Sequence, residues 1–411
     1  MKPYVIIGNG TAAASCIEGI RSVDKETLIT VVSEEKHPVY CRPLISYYLE
    51  GKTDLERIKY RPDNFYETNG CTVLYSAKAV RLNPKTKEVA LDDGRKIEYE
   101  KLCVATGSSP FVPPMEGLDL VKNKQTFLTL DDALALEQRL TEDSRVLIVG
   151  AGLIGLKCAE GILARVKSAT VCDLATRVLS SILDDVCAAR MQQHLEAQGM
   201  RFLVGDTAAR FDANTAYMKS GAEVPFDVLV LAVGVRANTA LVKDCGGKVE
   251  RGIVVNERMQ TSLPDVYAAG DCAQGYDISA EQSRVLAVLP NANLQGRCAG
   301  INMAGGDAVF DNAIPMNAIG FFGLHALSAG SDRGGECYEE NDETHLKRLF
   351  IKDGKLTGFM LIGDTARAGI YTSLIRNQTP LDTLDFDRLK ETPTTAAFSA
   401  ETRKQFFGGV V

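Results

Sequence analysis

Two short glycine-rich turns carry the strongest chemical signal in the chain: Gly8-Asn9-Gly10-Thr11-Ala12-Ala13 and Gly150-Ala151-Gly152-Leu153-Ile154-Gly155. In such a turn the first glycine permits the reversal, the second lets a pyrophosphate reach the backbone, and the third packs helix on strand. The helix N-terminus then holds the phosphate charge. Ala13 is an accepted variant at the third place. One such pattern is weak evidence; it gains force when a strand precedes it, a helix follows, and an acid closes the next strand.

That acid accepts hydrogen bonds from a ribose and repels a 2′-phosphate. Asp173 closes the second copy and favours NADH over NADPH, with Arg177 as the nearby cation that would weaken the preference. In the first copy Glu34 and Glu35 compete for the role, and one of them is a solvated turn residue.

The elements that must position these groups occur twice in the same order. A strand at 4–7 leads into the first turn, a helix runs to about residue 21, and a strand at 28–32 ends at the acids. The second copy has a strand at 145–149, a helix to about 165 and a strand at 169–172. The two turns begin 142 positions apart, at 8 and 150. Each copy closes with an apolar strand ending in glycine: Ala105-Thr106-Gly107 finishes the first and Ala232-Val233-Gly234 the second. Such a strand suits a buried position whose end lets a ligand approach. A third strand of this kind, 265–271, ends in Gly270-Asp271 without a glycine turn of its own. The simplest topology returns the chain to the first copy and makes the second an insertion.

Composition bounds the function. At roughly 100 to 200 residues per domain, 411 residues make two or three domains. A net charge of −7 disfavours a sequence-independent hold on nucleic acid or on an anionic membrane. No apolar run approaches the roughly 18 residues of a membrane span, and no signal-peptide core follows Met1, so a cytoplasmic protein is expected. Eleven cysteines without C-x-x-C spacing and four scattered histidines encode neither a disulfide framework nor a metal site.

The chain resembles the two-dinucleotide-fold flavoprotein reductases, the pyridine nucleotide-disulfide oxidoreductase superfamily, in its rubredoxin reductase and nitrite reductase flavin-module branch. The resemblance covers about residues 1–310. It rests on the two glycine turns, Tyr40-Cys41-Arg42-Pro43-Leu44-Ile45-Ser46, Ala105-Thr106-Gly107, and the run 261–271. It implies an α/β fold: two Rossmann-like domains, the NAD(H) domain (114–243) inserted in the FAD domain (1–113 and 244–308), and a small α+β C-terminal domain with a tail (309–411). FAD would sit at the first turn, with Glu35 on its adenosine ribose and Arg42 and Pro43 beside it. Asp271 would bond the ribityl chain, or cap the next helix, or both. The segment 290–300, with Asn291, resembles the helix whose N-terminus faces the flavin pyrimidine ring and favours its reduced anion.

Two departures from the family pattern shape the expected activity. Disulfide-reducing members carry a redox cysteine, often as C-x4-C, beside the flavin; here only Cys41 lies in that stretch, so no dithiol relay is expected. Neighbouring Arg42 leaves open a depressed thiol pKa and a reactive Cys41. Many relatives also place a Lys just after the R-P-x-L-S stretch and a Glu two places after the third glycine of the nucleotide turn, and these meet near flavin N5. This chain has Tyr47 and Lys157 there, a candidate catalytic pair; the alternative is that Lys157 is a surface lysine with its head in water. The expected activity is NADH-dependent reduction of FAD, with electrons passed to a separate iron-sulfur carrier such as rubredoxin or a ferredoxin. The alternatives are direct reduction of a small molecule or dioxygen, using Cys41 in a thiol-dependent variant, and a flavoprotein subunit of a larger complex. A homo-oligomer is compatible with each.

Beyond the two copies, strand-like runs are expected at 345–352 and 356–363 and a helix at 368–377. The acidic stretch 336–343 reads as a solvated loop, and the tail 391–411 as a segment that docks or frays.

Overall fold

The computed structural model describes residues 2–407. It divides into a large unit (Met1–Ser181, Ala188–Gly275 and Arg284–Phe310) and a smaller one (Ile182–Cys187, Tyr276–Ser283 and Asp311–Val411).

The large unit is the same motif built twice. In its first half run β1 (Tyr4–Ile7), α1 (Thr11–Val23), β2 (Ile29–Val32), α2 (Ile45–Leu49), β3 (Cys71–Leu74) and β4 (Leu102–Val104). In its second half run β5 (Lys124–Thr126), β6 (Arg145–Val149), α3 (Leu153–Ile162), β7 (Ser168–Asp173), β8 (Arg201–Val204) and β9 (Val228–Leu231). The chain then returns to the first half with β10 (Val266–Ala268) and α4 (Leu289–Met303). The first sheet has the order β10-β4-β1-β2-β3 and the second β8-β7-β6-β9-β5, and every pairing in both is parallel. The pairing of β10 with β4 establishes the insertion expected from the third glycine-ended strand.

Parallel strands covered on both faces need continuous apolar runs. Val5, Ile6 and Ile7 are at most 4% exposed, and so are Val146 to Val149. A fully buried aliphatic side chain contributes about 1.5–3 kcal/mol, so these short central strands are held by burial on both faces. The duplication extends further than the motifs revealed. Each half places a three-stranded antiparallel sheet before its last apolar strand, at residues 79–98 and 208–225. The two crossings between halves pair with each other, Ser108–Pro110 running antiparallel to Val235–Ala237.

The smaller unit holds a five-stranded antiparallel sheet made of Met316–Phe321, Leu324–Gly330, Glu336–Asn341, Leu346–Lys352 and Lys355–Ile362. The helix Gly369–Arg376 packs on it, with Tyr371 5.6 Å from Phe359 between ring centroids. The two expected strands and the helix are present. The acidic stretch is a strand rather than a loop. Its acids lie opposite cations across the ladder: Glu339 pairs with Arg348, and Glu340 lies 2.6 Å from Lys347. Opposite charges facing across a ladder stabilise a strand that composition alone would call solvated. Of the tail, residues 408–411 lie outside the described residues; before them the helix Ala400–Phe407 extends the chain. Among the described residues no helix is long and apolar enough to cross a membrane.

Candidate functional site

The two glycine turns are built alike. Gly8 has φ +112°, and a Cβ there would lie 2.1 Å from the Ala105 carbonyl oxygen; Gly150 has φ +119°, and its Cβ would lie 2.2 Å from that of Ala232. No side chain fits at either distance, so only glycine lets the turn pass beneath the end of the neighbouring strand. Gly10 and Gly152, the N-caps of α1 and α3, face open space: a Cβ on either meets nothing within 4 Å. Neither helix has a side-chain cap or an acid in its first turn. The N–H groups around Thr11 and Ala12, and around Leu153 and Ile154, therefore suit an anionic ligand that approaches the backbone closely. These residues fit the pyrophosphates of FAD and of NAD(H).

The third positions differ. A Cβ on Gly155 would meet the Gly150 carbonyl oxygen at 2.0 Å, whereas Ala13 is accommodated, fully buried, in α1. The closest approach of α1 is instead to α4. Cβ atoms on Gly296 and Gly300 would lie 2.2 and 2.1 Å from the carbonyl oxygens of Ala12 and Cys16.

The acids are held in different ways. Asp173 ends β7, and its carboxylate accepts from Ala151 N at 2.7 Å and from Ala175 N at 2.8 Å, which ties it to the second turn. Arg177 donates to Ser180 O within its own loop at 3.4 Å. Glu34 is exposed and bonds Lys78 at 2.8 Å. Glu35 accepts from Tyr40 Oη at 2.6 Å and pairs with Arg42. Each Glu35 oxygen keeps a lone pair for a further donor. Leu130 N donates to Tyr40 Oη at 2.9 Å, and His37 Nε2 lies 3.0 Å from Asp131 Oδ1, so this cluster is also fastened to the helix Leu130–Glu137 of the second half.

The remaining groups follow strand ends of both sheets. Gly107, after β4, and Gly234, after β9, both adopt positive φ, and Val233 precedes the second of them. Asp271 accepts from Ser108 Oγ at 3.3 Å. Burial raises its carboxyl pKa, opposed by the Ser108 hydrogen bond and the Arg42 charge. Gly270 N donates to Gln295 Oε1 at 2.9 Å, and Asn291 is fully buried in the first turn of α4. Pro43 is exposed in the short helical turn Arg42–Leu44. The Thr106 turn is clasped by Asn238, whose Nδ2 donates to Thr106 O at 2.9 Å while Thr106 Oγ1 donates to Asn238 O at 2.8 Å. Asn238 and Gln295 escaped sequence reasoning because their partners are main-chain atoms 132 and 25 residues away.

Tyr47 and Lys157 come together across the two halves, with Lys157 Nζ 4.9 Å from the Tyr47 ring centroid. Lys157 is not a surface lysine: its side chain is 14% exposed, and its ammonium lies 2.6 Å from Glu160. Cys41 lines a cleft of about 460 Å³ with Tyr60, Leu289, Pro290, Asn293 and Leu294. Burial pushes its thiol pKa up, and Arg42 is turned to Glu35 and Tyr40 instead. The lowered pKa that would activate this cysteine is absent.

Residues 2–296 match the family described as pyridine nucleotide-disulphide oxidoreductase, and residues 315–379 match the rubredoxin NAD+ reductase C-terminal domain. The chain is 34% identical to the NADH-dependent phenylglyoxylate dehydrogenase subunit epsilon of Aromatoleum evansii, covering 93% of each. It is 30% identical to the NADH oxidase of Methanocaldococcus jannaschii, covering 87% of each. In fold it is similar to the reductase of a covalent putidaredoxin reductase-putidaredoxin complex, with TM-score 0.88 at 23% identity over 96% of this chain and 99% of that one. The duplicated cradles and these matches agree: the chain belongs to the pyridine nucleotide-disulphide oxidoreductase family and is an oxidoreductase.

Proposed function

We propose that this chain takes electrons from NADH at FAD and passes them directly to an iron-sulfur protein, with no thiol relay. The observation that carries this reading is Cys41, the lone cysteine of the Tyr40–Tyr47 stretch: Arg42 turns to Glu35 and Tyr40 instead of to it, and burial raises its pKa. A bound flavin takes two electrons as hydride and releases them singly, which a one-electron metal centre requires.

The protein's part is binding and electrostatics. Residues 1–113 and 244–308 would hold FAD, with Gly10, Thr11 and Ala12 at the pyrophosphate, Glu35 at the adenosine ribose and Asp271 at the ribityl chain. Residues 114–243 would hold NADH, with Gly152 to Ile154 at the pyrophosphate and Asp173 at the ribose. The fixed carboxylate of Asp173 disfavours NADPH. Lys157 would place a positive charge where the two halves meet, favouring electron-rich states of the cofactor. The match of residues 315–379 to the rubredoxin reductase C-terminal domain supports a rubredoxin-like acceptor.

A second reading has its own support. The relative at 34% identity is named as a subunit, so the acceptor of this chain would be a neighbouring subunit of a complex. Both readings are tested together. The protein is reduced anaerobically with NADH and mixed with rubredoxin, ferredoxin, a disulfide or air, while co-purifying chains are identified by gel filtration. Return of the oxidised flavin spectrum fastest with an iron-sulfur protein supports the proposal; fastest return with a disulfide or air contradicts it.

A further inference from the structure

Glu160 is a buried acid that its own helix does not favour. It lies in the last turn of α3, where the helix dipole is unfavourable to a negative charge. It follows its lysine, the less favourable order for a helical ion pair. Its side chain is 5% exposed, so it gives up hydration that only a well-placed partner offsets. Lys157, three residues earlier, is one such partner, with Nζ 2.6 Å from Glu160 Oε2. The pair is pressed against the first half by the next residue: a Cβ on Gly161 would lie 2.7 Å from Ser46 O and 3.2 Å from Leu49 Cβ. The ring of Tyr47 then lies over the ammonium. Other charges face this junction. Lys52 bonds Glu50 at 2.5 Å and also lies 6.0 Å from the Tyr47 ring centroid, where it interacts with the Glu160 charge, and Glu137 holds both Arg165, at 3.0 Å, and Tyr48 Oη, at 2.8 Å.

We propose that Glu160 is the positioning residue for Lys157, holding its ammonium against Tyr47 where the two halves meet. The inference rests on the reading of the FAD and NAD(H) sites given above. In this chain the acid and the base both come from α3, and α2 supplies an aromatic wall.

The test compares wild type, Glu160→Gln, Glu160→Asp, Lys157→Ala and the Lys157→Ala/Glu160→Gln double variant as purified flavoproteins. Flavin midpoint potential and the rate of NADH bleaching are measured for each. Without its acid, Lys157 loses a partner that fixes its ammonium against Tyr47. Glu160→Gln is therefore expected to shift the flavin potential and to bleach about tenfold more slowly than wild type. Glu160→Asp, which keeps the charge, restores most of the wild-type values. Lys157→Ala is slow, and adding Glu160→Gln to it, which removes the acid left without that lysine, slows it no further.

Glu160→Gln indistinguishable from wild type in a flavoprotein that NADH reduces would overturn this inference alone. So would an equal shift from Glu160→Gln in the Lys157→Ala background. A protein that takes up no flavin overturns the underlying reading as well.

Discussion

The two halves of the large unit share a topology and a turn yet hold their acids by different means. In the first half Glu35 is fixed by the side chains of Tyr40 and Arg42. That cluster is fastened in turn to the helix Leu130–Glu137, and α1 is locked to α4 through Gly296 and Gly300. In the second half Asp173 is fixed by backbone N–H groups of its own turn and loop. The first acid thus depends on side chains tied to a helix of the other half, while the second is held by N–H groups close to it in the chain.

The strongest way to break this comparison is at the first glycines. Gly8→Ala and Gly150→Ala each force a side chain into positive φ and a carbonyl oxygen. Each is expected to cost on the order of 2–4 kcal/mol in its own half. Gly8→Ala should purify without flavin, and Gly150→Ala should keep its flavin but no longer be bleached by NADH. Loss of flavin from both, measured by absorbance, would show that the halves are not separate sites.

Comparable to one another are two charge removals, of which the first is Lys157→Ala, which takes away a cation at the junction of the halves. A drop in NADH-driven bleaching on the order of tenfold, about 1.4 kcal/mol, is expected, with Kd for NADH nearly unchanged. An unchanged rate would place Lys157 outside the reaction.

Asp173→Ala tests the second acid. Removing its charge should narrow the NADH-over-NADPH preference in kcat/KM by a factor of about 5 to 150, equivalent to about 1–3 kcal/mol. An unchanged ratio would mean that Arg177 or another cation already governs the choice.

The smallest effect concerns how β6 begins. Arg145 bonds Asp227 through its backbone and guanidinium nitrogens and lowers the carboxyl pKa from 3.8 to about 2. A lowered folded-state pKa gives stability that is present above 3.8 and fades as pH falls toward about 2. Both side chains are more than a third exposed, so the pair is worth at most about 1 kcal/mol. Asp227→Asn should lower Tm slightly at neutral pH, by less near pH 2, and not at all once pH falls below it.

Much of this was legible in the chain because it is written in local patterns. The glycine turns, the buried strands and the acids ending β2 and β7 are runs of adjacent residues whose spacing has a direct physical meaning. The choice of Glu35 needed the Tyr40–Ser46 stretch, which is also local. What stayed hidden depends on partners far along the chain. Asn238 and Glu160 belong to no local motif: the first is placed by Thr106 and the second by Gly161, which brings α3 onto α2. The strand Glu336–Asn341 looked like a loop because its stabilising cations belong to the next strand. Cys41 beside Arg42 suggested an activated thiol, since sequence adjacency does not reveal that the guanidinium turns toward Glu35.

The central claim is that electrons leave this protein without passing through a thiol, and Cys41→Ser tests it most directly. The variant is reduced anaerobically with NADH in a stopped-flow instrument and then mixed with oxidised rubredoxin or ferredoxin, alongside wild type. The account predicts nearly equal rates for both proteins in both steps. Normal bleaching by NADH followed by no transfer to any acceptor would contradict it and make Cys41 a redox centre.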